Sequence, residues 1–266
     1  RLYATRRMIP LFLFIIFGSL MASAQLFPAV ELARNSLRST GLPLSDALSF
    51  SLHPLLLGRA LLPGFSRTLF TEFIGYVGLS GLLLTLTGLA VLVTNNAGRP
   101  RFLPAALLAC IGIFLALGAY NPLYLPLAKF VPGFNLFLVP ARWLALWALG
   151  AALLAGLGLD HIGTLSKPYR HRLALTFSAC TLGLVAITVI STGLTPPGET
   201  GPLPTPHLRD ATGWAVALTC ALAALLFYHR FRLFLPILVA IELGTASFQL
   251  PLNNLTTPDA YTSVRA

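Results

Sequence analysis

The chain has 266 residues, of which 56% are hydrophobic and only 10% are charged, with a formal charge of +10. A soluble domain carries about 25% charged residues because its surface must face water, so this composition excludes an ordinary soluble domain. The 18 lysines and arginines stand in short clusters between apolar runs, not in a stripe interleaved with aromatics, which argues against nucleic acid as a partner and for a membrane topology signal.

Seven apolar segments follow one another, at about residues 9–27, 73–94, 102–118, 140–159, 173–192, 212–228 and 233–248. A helix of ~18 residues rises about 27 Å, close to the ~30 Å hydrocarbon core of a bilayer. Helices also leave no backbone group without a partner in lipid. The prediction is an all-α, polytopic membrane helix bundle of about seven transmembrane helices over residues 1–248. Residues 249–266 are expected to open an extracytoplasmic C-terminal region, and the whole to be a piece of a longer membrane protein.

Basic residues orient this path. Arg1, Arg6 and Arg7 precede the first segment, Arg99 and Arg101 the third, Lys167, Arg170 and Arg172 the fifth, and Arg230 and Arg232 the seventh. The clusters fall on alternate connections, so all lie on one side, which the positive-inside rule makes cytoplasmic. The N-terminus is then in and the C-terminus out.

The outer connections hold most of the acids: Glu31, Asp46, Glu72, Glu199, Asp210 and Asp259. The first, residues 28–72, is too long for a mere connector. Its apolar stretch Pro54–Phe65, broken by Pro63 and Gly64, predicts an interfacial or re-entrant segment. The second, 119–139, carries Pro122, Pro126, Pro132 and Gly133, a pattern of irregular backbone sheltered by protein. The third, 193–211, reads as a flexible surface loop rich in Pro, Gly and Thr.

Chemistry-bearing motifs are few. No phosphate-binding loop, dinucleotide fingerprint, zinc-protease helix or nucleophile elbow occurs in the string. The five histidines are scattered and Cys110, Cys180 and Cys220 fall inside apolar runs. The cysteines are expected to be small buried hydrophobes, and neither a metal site nor a cofactor is predicted.

Polar groups at the outer helix mouths are the candidate ligands. Arg142 opens the fourth segment after Val139-Pro140-Ala141, beside Trp143 and Trp147. Its planar fork suits a phosphate oxygen pair, and an interfacial anchor beside an aromatic belt is the other reading. Lys129, in the preceding loop, either joins Arg142 at an anionic headgroup or is an ordinary surface lysine. Glu72 and Tyr76 open the second segment, where they either bond a sugar, orient a basic partner or complement a helix dipole. Glu31 and Arg34 have the spacing of a helical ion pair. His53 and Arg59 flank the re-entrant stretch. Glu242 lies inside the last apolar segment, either neutral or paired within the bundle.

The order of AQLFPAVELARNSLRS, SFSLHPLLLGRALLPGF, EFIGYVGLSGLLL, LALGAYNPLYLPLAKFVPGF and FLVPARWLALWALGAALLAGLGLD, closing on NNLTTPDAYTSVRA, resembles the YfhO-like bacterial membrane proteins, relatives of the GT-C class of glycosyltransferases. The resemblance covers the chain from about residue 20 to its end. It implies a multi-span enzyme that moves a sugar from a polyprenyl-phosphate donor to an envelope glycan or lipid acceptor on the outer face. Arg142 matches the arginine of the family's VPAR-like block and inherits a donor-phosphate role; family members often carry another basic residue just before it, where this chain has Leu138. The catalytic acid is expected upstream of this sequence, so neither Glu31 nor Asp46 is assigned that role. A lipid-linked substrate transporter or flippase, or a non-catalytic membrane scaffold, are the alternatives.

Overall fold

A computed structural model of the chain describes residues 2–35, 42–65, 69, 71–94, 99–131, 134, 137–227 and 234–248. The extracytoplasmic region expected from 249 onward and the basic pair Arg230 and Arg232 lie outside the described residues. Among those described, helices dominate and no strand occurs.

Two compact units divide the chain, 1–47 with 126–138 and 48–125 with 139–266. The smaller is built on α1 (Leu2–Arg34) and the short α2 (Leu44–Ala47). Helix α1 extends beyond its apolar segment through Glu31 to Arg34, as the spacing of those two residues predicts. Phe12, Phe14, Phe17, Leu20 and Met21 are all exposed on it.

The larger unit contains α3 (Leu57–Leu61), α4 (Leu79–Thr94), α5 (Arg99–Ala116), α7 (Leu144–Ile162), α8 (Lys167–Ile190), α9 (Leu208–Leu226) and α10 (Phe234–Ser247). Helix α6 (Tyr124–Phe130) bridges the chain between the units. Each of the seven apolar segments is therefore helical. With the turn before α7, three of them, Pro140–Ile162, Lys167–Ile190 and Leu208–Leu226, are long and apolar enough to cross a membrane. About a third of the apolar window of each is buried by the rest of the chain. Leu149, Leu153, Leu175, Leu182, Val189 and Val216 face outward instead. Apolar surface on that scale requires a nonaqueous surrounding, and the chain is accordingly membrane-associated.

Helix α7 is the centre of the larger unit, and small residues let its neighbours approach. A Cβ on Gly158 would collide with the carbonyl of Leu84 on α4, and one on Gly88 of α4 with the carbonyl of Leu154. On the other flank Gly150 meets Ala105 and Ala109 of α5, and Gly112 of α5 meets Trp147. Close backbone approach at small residues is how helices associate where lipid removes the hydrophobic drive. Thr85 Oγ1 adds a hydrogen bond to the Ala151 carbonyl at 3.0 Å. The pairings 85 with 151 and 88 with 154 make α4 parallel to α7, whereas 112 with 147 and 102 with 161 make α5 antiparallel to it.

Three sequence expectations are revised. The second apolar segment becomes α-helical only at Leu79, because Gly78 takes φ +80° and breaks the backbone before it. The cysteines are not buried: Cys110 and Cys180 are exposed and Cys220 half-buried, on the outward faces of apolar helices. The 193–211 connection is tied down rather than loose. Gly193 N–H donates to Leu203 O at 2.9 Å, Leu203 N–H to Leu194 O at 2.8 Å, and Leu203 is buried.

Candidate functional site

The best-formed polar feature outside the helix interiors is built from two turns. The first is Thr71–Phe73, whose Phe73 is fully buried and packs on the Phe50 ring at 6.4 Å. The second is Pro140–Trp143, whose Pro140 and Ala141 are buried. Ala141 N–H donates to Phe50 O at 3.3 Å, so one residue anchors both turns. With Phe73 and Ala141 turned inward, Glu72 and Arg142 project outward and meet.

Arg142 Nε donates to Glu72 Oε2 at 2.9 Å and Nη2 to Oε1 at 2.8 Å. This is the two-pronged arginine–carboxylate geometry that lysine cannot reproduce. The arginine side chain is 61% exposed and the glutamate 24%, so the fork is held at one edge while its remaining N–H groups are open. The Arg142 guanidinium holds the Glu72 carboxyl below its usual value, against a smaller upward push from burial. Beside the pair lies a recess of about 300 Å³ lined by Thr71, Ile74, Ala141, Leu144 and Ala145.

The backbone beneath is held in unusual conformations. Val139, just before the second turn, has φ 63°, and Phe50 has φ 55°. A β-branched residue at positive φ is a steric outlier, and such a residue persists only where its surroundings over-determine it, a cost of about 1–3 kcal/mol. Ser51 supplies part of that determination: its Oγ donates to Leu48 O at 2.6 Å and accepts from Ala119 N–H at 2.8 Å. Trp143 hydrogen-bonds the buried Tyr124 hydroxyl, and Trp147 Nε1 donates to Gly75 O at 2.7 Å. Those two tryptophans fix the mouth of α7.

Other sequence candidates fall elsewhere. Tyr76 is not at this recess; it lines a crevice of about 40 Å³ with Arg59, His207, Asp210 and Trp214. Arg59 is committed to structure there, donating to Ser191 Oγ at 2.8 Å and to Pro204 O at 2.5 Å. His53 caps the turn before α3 by accepting from Leu55 N–H at 3.2 Å. Asp210 accepts from Phe65 N–H at 2.8 Å and closes a capping box on α9. Lys129 belongs to the smaller unit, its ammonium 5.6 Å from the centre of the Phe130 ring.

Glu242, left open by the sequence, is 4% exposed, and its Oε2 accepts from Ser80 N–H at 3.0 Å. It caps the first turn of α4 from a helix far away in the chain. Gly78 makes room for it, since a Cβ there would stand 2.6 Å from that oxygen. Sequence reasoning missed Phe50, Ser51 and Ser80, because no local motif marks a residue whose partner is distant in sequence. Comparison of the chain with family models, with curated proteins and with solved structures finds no match.

Proposed function

We propose that this chain is the later part of the membrane region of a YfhO-like, GT-C-related glycosyltransferase that takes a sugar from a polyprenyl phosphate at the outer face of the bacterial cytoplasmic membrane. In this reading seven helices cross the bilayer, N-terminus in and C-terminus out. The parallel run of α4 and α7, and the antiparallel run of α5 between them in sequence, agree with alternating crossings. Helices α4, with 16 residues, and α10, with 14, rise about 24 and 21 Å, lengths that local thinning of the bilayer accommodates. The stretch from Pro54 to Phe65 is then a short re-entrant element, sheltered by α8 through the contact of Gly58 with Leu184 and Thr188.

The observation that carries the proposal is the oriented fork of Arg142. Glu72 takes two of its five N–H groups, and the others remain available to a phosphate at the mouth of an apolar helix. A polyprenyl phosphate keeps its tail in lipid and its phosphate at this level. As the glycosidic bond breaks, charge grows on the departing phosphate, and a pre-aimed guanidinium stabilises it. Glu72 is the positioning residue and Arg142 the ligand. The base that deprotonates the acceptor hydroxyl is assigned to no residue of this sequence.

The test uses the full-length protein in lipid, radiolabelled polyprenyl-phosphate sugars and a panel of envelope glycan and lipid acceptors. Arg142→Ala is expected to lower transfer about 100-fold, the scale of losing an oxyanion donor, with membrane insertion unchanged. Arg142→Lys should recover only part of the loss. Full activity in Arg142→Ala removes that residue from the site. A well-folded protein that binds the donors but transfers nothing across the panel points to a transporter or flippase instead.

A further inference from the structure

The first turn of α9 carries two charges that meet different surroundings. Asp210 is buried and accepts from Phe65 N–H at 2.8 Å and from His207 N–H at 3.2 Å. Arg209 is exposed, and among the described residues no hydrogen bond or ion pair engages its guanidinium.

That arginine lines one end of a cleft of about 430 Å³ between α9 and α10, whose walls include Phe65, Val216, Ala217, Leu238 and Ile241. Phe65 lies on Gly213 near the same end, so closely that a Cβ on the glycine would strike its ring. The other polar groups of the lining are already engaged. Thr212 Oγ1 donates to Arg209 O at 3.1 Å, Thr245 Oγ1 donates to Ile241 O at 2.8 Å, and Glu242 is held from α4 by Ser80 N–H at 3.0 Å. The positive N-terminal end of α4 offsets the charge of that glutamate, whereas the charge of Arg209 meets no such compensation. Measured along α9, the lining runs from Arg209 to Cys220, about 16 Å. This is close to half of the ~30 Å hydrocarbon core, the depth of a single leaflet.

We propose that this cleft binds a membrane phospholipid, with one acyl chain lying between α9 and α10 and the phosphate on Arg209. The guanidinium fork matches a pair of phosphate oxygens, the apolar walls match a chain, and the length matches one leaflet. Apolar pockets with a few placed polar groups are the usual form of small-ligand sites. No lining residue is shared with the recess beside Glu72 and Arg142, so a protein that transferred no sugar would still carry this site.

The test uses full-length protein carrying Arg142→Ala, so that the fork adds no second phosphate site. Stripped of lipid in detergent, it is titrated with dioleoylphosphatidic acid or with dioleoylglycerol and followed by native mass spectrometry. The two lipids share their chains and differ only in the phosphate. Saturable one-to-one binding of the phospholipid is expected, about tenfold tighter than the diacylglycerol. Arg209→Gln, a change at an exposed and unpaired side chain, should remove that advantage, and Arg209→Lys should keep part of it. Val216→Trp, which fills the cleft away from the arginine, should weaken both lipids, and Ile241→Trp should do the same from the other wall. A phospholipid bound no tighter than the diacylglycerol, an advantage that survives Arg209→Gln, or binding of both lipids unchanged in the two tryptophan variants overturns the proposal.

Discussion

Arg142 and Glu72 stand 70 residues apart in sequence, yet form a two-pronged pair because each sits on a turn whose neighbour is buried. Their meeting was partly legible, since each opens an apolar segment and one expected role of Glu72 was to orient a basic partner. The capping of α4 by Glu242 was not, because its partners are backbone amides, which carry no side-chain signature. The exposed pair is worth about 1 kcal/mol or less to stability. Because the folded carboxyl titrates below its usual value, this contribution is present at neutral pH and fades as pH falls through that depressed value. Glu72→Gln should lower the thermal midpoint at pH 7 by about 2 °C for a protein of this size. The gap between variant and parent should close once the solution is more acidic than the ordinary carboxylate range of about 4. A gap that stays constant across that range in detergent melts would separate the pair from stability. For transfer, Glu72→Gln should resemble Arg142→Lys in raising the donor KM, since both lose the aimed fork and keep the positive charge.

At the scale of elements, length and hydropathy placed every apolar segment on a helix, but the ends were set by features of other origin. The positive φ of Gly78 delays α4, and α8 starts at Lys167, ahead of its apolar run. Helix α6, with seven residues, lies in a connection read as irregular, and α3, with five, in the stretch read as interfacial or re-entrant, because so few residues show no period. The outward-facing cysteines illustrate a further limit: a helix apolar on all sides does not declare which face it buries. What decides is packing, and α7 provides the test. Gly156 and Gly158 lie two residues apart, but a Cβ on Gly156 meets nothing within 4 Å, whereas one on Gly158 strikes the Leu84 carbonyl. Gly156→Ala should be neutral or stabilising by up to about 1 kcal/mol from helix propensity. Gly158→Ala should destabilise by about 1–3 kcal/mol as α4 and α7 are forced apart. Thermal unfolding of the two variants in one detergent reads the difference directly, and equal midpoints would mean that α4 and α7 do not pack as closely as their glycines permit.

For the whole molecule, the two ends of the larger unit differ in charge. Phe102 meets His161, and Tyr169 approaches Ala90 O at 3.5 Å. The starts of α5 and α8 therefore share an end with the finish of α4 and α7, and that end carries Arg101, Lys167, Arg170 and Arg172. Glu72, Arg142 and Asp210 belong to turns and caps at the opposite end. An asymmetry of this kind orients a bundle through the basic residues in short connections, each held on the cytoplasmic side during insertion. The proposed donor site demands the same orientation, since its phosphate must lie at the outer headgroups. Ser166 and Thr205 are exposed at the two ends and so report on it. In a full-length protein with Cys110, Cys180 and Cys220 replaced by alanine, Thr205→Cys should react with a membrane-impermeant maleimide on intact cells. Ser166→Cys should react only after the membrane is opened. The reverse pattern would turn the fork of Arg142 toward the cytoplasm, and an outer-face sugar donor could then no longer be its ligand. Labelling of both positions from outside would mean that the chain between them does not cross the bilayer an odd number of times, and α8 would have to be withdrawn as a span.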